Sequence, residues 1–146
     1  MMISNKDRRF ILGVFAILVS IYLTSFIKTH YYRSLPQRFV IGETLGRKNS
    51  KGCDVMIYEY HIDNKRYESR HNCNECYQPK AGVAIIVMIP EGYNDVSRIV
   101  PFEFSKQPNN RKTKSPIKGW GEQELKTLFP GIELFCKEVY YFQTYS

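Results

Sequence analysis

Hydrophobic positions follow different rhythms along the chain. From Phe10 to Ile27 (FILGVFAILVSIYLTSFI) they run on for 18 residues without a charge. As a helix this run spans roughly 27 Å, close to the roughly 30 Å hydrocarbon core of a bilayer, and it predicts a membrane-spanning helix. A cleavable signal would carry a shorter apolar core, of about 7 to 15 residues, and a small-residue cleavage site. The run ends instead in Lys28-Thr29-His30-Tyr31-Tyr32. A buried core helix would show a polar stripe, yet Ser20, Thr24 and Ser25 are the only hydroxyl side chains besides Tyr22.

Beyond the span the rhythm shortens to that of strands. Phe39 to Leu45 precedes a turn region at Gly46, and Val55 to Ile62 (VMIYEYHI) alternates, with Met56, Tyr58, Tyr60 and Ile62 on one face. Asp63-Asn64 tolerates positive φ and is followed by Lys65 to Arg70, a tight hairpin in which Tyr60 lies opposite Tyr67. Val83 to Ile89 is continuously apolar, a central strand covered on both sides and closed by Pro90. Arg98 to Phe104 and Ile132 to Phe142 read as further strands, and Glu122 to Phe129 as one short helix stopped by Pro130-Gly131. The fold class is therefore mainly β: one N-terminal transmembrane helix, then a small antiparallel β-sandwich or barrel of five or six strands with one short C-terminal helix. Residues 1–9 form a basic tail, 10–27 the span, 28–38 a juxtamembrane linker and 39–146 one β-rich domain, since about 110 residues suffice for a single core.

Charge sharpens the orientation. Lys6, Arg8 and Arg9 precede the span while Lys28, Arg33 and Arg38 follow it. The short N-terminal tail packs its charges against the span, which favours N-in and a C-terminal domain on the non-cytoplasmic side. Tyr31 and Tyr32 suit either the lipid interface or the start of the folded domain. The formal net charge of +7 is not a nucleic-acid signature, because the excess is local. Residues 105–121 (SKQPNNRKTKSPIKGWG) carry Lys106, Arg111, Lys112, Lys114 and Lys118 with no acid, and read as a long loop. That loop is a solvated connection, a patch drawn to anionic lipid headgroups, or a contact for an acidic partner or nucleic acid.

The hairpin carries a resemblance. Tyr58-x-Tyr60-x-Ile62-Asp63-Asn64-Lys65-x-Tyr67, then an apolar strand ending in Pro90 and Ser97-Arg98-Ile99-Val100, resembles small bacterial membrane-anchored proteins of a domain-of-unknown-function family. The family pattern has Asn-Gly at the turn, where this chain has Asn64 in place of the Gly. It also has a second Pro after the strand, where this chain has Tyr93-Asn94-Asp95. The resemblance implies the fold and the anchor and carries no chemistry.

Candidate chemistry rests on four cysteines. A turn at Asp63-Asn64 sets Cys53 opposite Asn74 with Cys76 as its diagonal neighbour, and a turn one residue later sets Cys53 opposite Cys76. Three readings compete. A structural disulfide would join Cys53 to Cys76, with Cys73 to Cys136 as a second, and suits an exported domain. A zinc site would use Cys53, Cys73 and Cys76 with Cys136 or His71 if the domain is cytoplasmic. A redox-active Cys73-x-x-Cys76 lacks the helix N-terminus that such chemistry uses. His61 belongs to the solvated face of its strand, Trp120 between two glycines to the core, and no ordered nucleophile signature is present. The sequence thus points to a non-enzymatic module without a cofactor, partnered by the bilayer and an unidentified protein.

Overall fold

The computed structural model describes residues 5–50, 52–72, 77–102 and 114–135. The chain divides into two compact units between Ser34 and Leu35.

The first unit is helix α1 (Asn5–Ser34), 30 residues long. Its apolar side chains from Phe10 to Ile27 are exposed rather than packed in a core. It outruns the apolar stretch by seven residues at its C-terminal end, Lys28–Ser34, so most of the expected linker is helix.

The second unit is one antiparallel sheet with strands β1 (Gln37–Ser50), β2 (Cys53–Ile62), β3 (Lys65–His71), β4 (Ala84–Pro90) and β5 (Arg98–Ile99), followed by helix α2 (Glu122–Leu128). The spatial order is β3-β2-β1-β4-β5. β1 to β3 form a meander, and the chain then returns to place β4 on the other side of β1. The β2–β3 turn holds Asp63 at φ 51° and Asn64 at φ 61°, the two left-handed residues of a two-residue hairpin whose twist matches its strands. Tyr60 accordingly pairs with Tyr67, and their rings stack at 5.6 Å.

β1 runs further than its hydrophobic pattern indicates. Gly46 is not a turn: the register shifts between Thr44 and Gly46, leaving Leu45 as an exposed extra residue, and pairing resumes to Ser50 opposite Cys53. The Thr44 hydroxyl accepts from Val83 N–H at 3.0 Å and donates to Lys80 O at 2.6 Å, which fastens the return loop beside the bulge.

Both faces of the central strands are buried. On one face Phe39, Ile86 and Met88 pack with Val100, Trp120, Leu125, Phe129 and Ile132. On the other, Val40, Ile85, Val87 and Ile89 meet Tyr58, Tyr60, Ile62 and Ile99. That second face is enclosed by curvature of the sheet itself. β2 and β5 are three strand spacings apart, about 14 Å in a flat sheet, yet the Tyr58 hydroxyl lies 2.9 Å from Ser97 Oγ just before β5. Beyond the two outer strands, Tyr77 Oη donates to Phe102 O at 3.1 Å. The arrangement is a curled sheet, nearer to the barrel alternative than to the sandwich.

Past α2 the expected strand over 132–142 does not form in its described part. Gly131 takes φ 82°, Ile132 N–H bonds back to Phe129 O at 3.1 Å, and Ile132 is spent as a plug on the first core face. Residues 136–142 of that expectation, and 103–104 of the strand expected from Arg98, lie outside the described residues.

Candidate functional site

α1 is long and apolar enough to cross a membrane. Three of its hydroxyls bond within the helix: Ser20 donates to Ala16 O at 2.8 Å, Thr24 to Ser20 O at 2.8 Å and Thr29 to Ser25 O at 2.9 Å. These three hydroxyls thereby have their donors used inside the helix, as an apolar surrounding would require. Just past the apolar run the surface turns aromatic and cationic. The Phe26 and His30 rings are 6.4 Å apart, and Lys28 Nζ lies 5.8 Å from the Tyr32 ring centre, a composition suited to the interface.

Of the cysteines, only Cys53 falls among the described residues, at the start of β2. It is disulfide-bonded, and no described cysteine is a free thiol. Cys73, Cys76 and Cys136, and with them the C-x-x-C, lie outside the described residues. The observed register is that of the Asp63-Asn64 turn. His71, the nominal zinc ligand, is buried at the end of β3 with its Nε2 against Tyr77 O, and no group of potential metal ligands gathers among the described residues.

The basic loop divides similarly. Lys106, Arg111 and Lys112 lie outside the described residues, while Lys114 and Lys118 are exposed. The segment around these two is not a free linker. Ile41 N–H donates to Ser115 Oγ at 3.3 Å, Gly119 N–H closes a turn onto Pro116 O at 2.9 Å, and Phe39 and Trp120 exchange both backbone bonds, at 2.9 and 2.8 Å. Trp120 is buried as a core residue.

At the Gln37 end of the sheet stands a polar node that the sequence did not disclose. Arg38 shares the inner face with Val40 by strand alternation, and its Nη2 donates to Asn94 Oδ1 at 2.7 Å and to Asp63 Oδ2 at 3.4 Å. Asn94 Nδ2 donates to the same Asp63 oxygen at 2.9 Å, Arg38 Nη1 to Lys118 O at 3.3 Å, and Tyr60 Oη to Asn94 O at 2.8 Å. The Asn94 amide, helped by the Arg38 guanidinium, holds the Asp63 carboxyl below its ordinary range. Burial pushes Tyr60 up to about 12, so its phenol stays protonated and donating at neutral pH. The node joins β1, the β2–β3 turn, the β4–β5 loop and the 117–118 turn. The two Nη groups of Arg38 and the Asn94 amide are spent within the node while Arg38 Nε is buried without a partner, and no nucleophile stands beside a base there. The one sequence signal was a charged residue at an inward position, Arg38; its partners are too distant in sequence to be read.

Neither a family model, nor a curated protein, nor a solved structure matches the chain.

Proposed function

We propose that the chain is a single-pass membrane protein whose curled β domain stands on the non-cytoplasmic side as a non-enzymatic binding or structural module. The observation that carries the membrane assignment is α1, an uninterrupted helix with exposed apolar side chains and internally satisfied hydroxyls. The disulfide at Cys53 supports the outward orientation, because such bonds persist in oxidising compartments and thiols are kept reduced in the cytosol. The module reading is supported by where the described polar groups are used: the Arg38 node, the Thr44 clamp and the His71 bond all serve the fold. By register, Cys76 is the partner favoured for Cys53, and in that state Cys53 supplies no thiolate to a metal.

Thiol labelling of the full chain in intact cells with a reagent that does not cross the membrane tests the placement. Labelling that appears only after external reduction is the expected result. Protection until lysis would overturn the outward orientation. Turnover of disulfide substrates by the purified full chain, lost on Cys73→Ser, would overturn the module reading.

A further inference from the structure

The Gln37 end of the sheet gathers chain from several places into one rim. Pro90 pairs with Gln37, Glu91 N–H donates to Pro36 O at 2.9 Å, and Asp63 N–H donates to Ile117 O at 2.8 Å. On this rim Ile117 is 61% exposed, more than any other large apolar side chain described outside α1. It stands on the turn closed between Pro116 and Gly119, whose Ile117 O takes the Asp63 N–H; Lys118 in that turn and Lys65, two residues past Asp63, are both exposed. A hydrogen-bonded turn that leaves an isoleucine exposed, on a rim that also carries exposed lysines, has the make-up of an interfacial contact, where the apolar body and the charged tips are both accommodated.

The rim is also joined to α1 by a short connection. α1 continues seven residues past Ile27, about 10 Å at 1.5 Å per residue, which is the order of a headgroup layer. Only Leu35 and Pro36 then precede β1, and Pro36 is already hydrogen-bonded into the rim. We propose that the Gln37 rim of the β domain rests on the phospholipid headgroup layer, with Ile117, Lys118 and Lys65 as its contact points. The proposal rests on the membrane-spanning reading of α1. Because Glu91 and Asp95 are also exposed on the rim, the opposed charges offset one another, and the contact needs no anionic lipid.

The test uses the full chain in phosphatidylcholine nanodiscs, with an environment-sensitive fluorescent amino acid placed singly at position 19, 48, 64 or 117. Quenchers are attached either to the acyl chain or to the headgroup. Position 48 lies eleven residues along β1 from Gln37, about 35 Å away, and serves as the aqueous reference. Acyl-chain quenching at 19 and headgroup quenching at 117 several-fold above that at 48 are expected. In chains labelled at 64, the double substitution Ile117→Ser, Lys118→Glu is expected to reduce headgroup quenching at least twofold. Quenching at 19 with 117 indistinguishable from 48 would overturn the rim contact and leave the anchor standing. Headgroup quenching at 64 unchanged by the double substitution would overturn it too, and no quenching at 19 would overturn the anchor itself.

Discussion

Gly42 shows how a single missing side chain sets the curvature of the sheet. It lies on the inner face opposite Tyr60 on one side and Ile85 on the other. A Cβ there would stand 2.5 Å from Glu59 O and 2.9 Å from Val87 Cγ2. The first of these is backbone and cannot rotate away. Gly42→Ala is therefore expected to cost about 1–3 kcal/mol through forced backbone movement, whereas Gly46→Ala, which meets open space, should stay within about 0.5 kcal/mol. Denaturant midpoints compare the two; equal midpoints would show that the sheet yields at Gly42. A second test at this scale concerns Asp63. Its folded carboxyl titrates below the ordinary range, so its stabilising effect is complete above that range and is lost as pH falls from there through the lower folded value. Asp63→Asn keeps a residue that tolerates the left-handed turn, and the gap between it and the parent protein, measured by denaturation at neutral pH, is expected to narrow as the pH is taken below the ordinary carboxylate range. The pairing of Tyr60 with Tyr67 was readable because a two-residue turn dictates its own register. The Arg38 node was not, since Asp63 and Asn94 lie 25 and 56 positions away and polar residues carry no periodicity that announces a distant partner.

Among the elements, the best-read were those whose burial is complete. β4 is apolar throughout because β1 and β5 flank it while Phe39 on one face and Val40 on the other complete the two cores, and its pattern states this directly. The element read too short was β1, whose outer half is polar and paired only along β2, so that no hydrophobic alternation marks it. Gly46 there permits a bulge, which looks like a turn in one dimension. α2 was legible from Pro130-Gly131, yet its task was not. It contributes Leu125, fully buried beside Phe129 and Trp120, and the Gly121 N–H is met by Glu124 Oε2 at 2.9 Å. The helix is thus a lid on the first core face, held by its one inward residue and its flanks. Leu125→Ala is expected to cost about 2–5 kcal/mol. Lys126→Ala, which removes only the exposed pair with Glu122, should cost about 0.5 kcal/mol or less. If both substitutions leave the denaturation midpoint unmoved, α2 is not a stabilising part of the domain.

At the level of the whole molecule, solvent divides the labour. α1 exposes what a soluble helix would bury, while the unit beginning at Leu35 encloses two cores of its own and a disulfide-bonded Cys53. Its clusters draw on β1 to β5 and α2, so residues 35–140 are expected to fold when produced alone in an oxidising compartment and to unfold in one cooperative transition. A disulfide acts chiefly by restricting the unfolded chain, and the stabilisation is typically about 2–4 kcal/mol. Cys53 opens β2 at the end of the β1–β2 hairpin, beyond the last β2–β3 pair at Met56 and His71. A covalent tie there holds a part of the sheet that hydrogen bonding secures least, far from the Arg38 node that secures the other end. Reduction should therefore lower the unfolding free energy of this fragment, read from its denaturant transition, by an amount in that range. Amide exchange should speed first near residues 53–56 while Ile62, Tyr67 and Arg38 stay protected. A uniform loss of protection, or none, would show that the two ends of the sheet are not fastened separately.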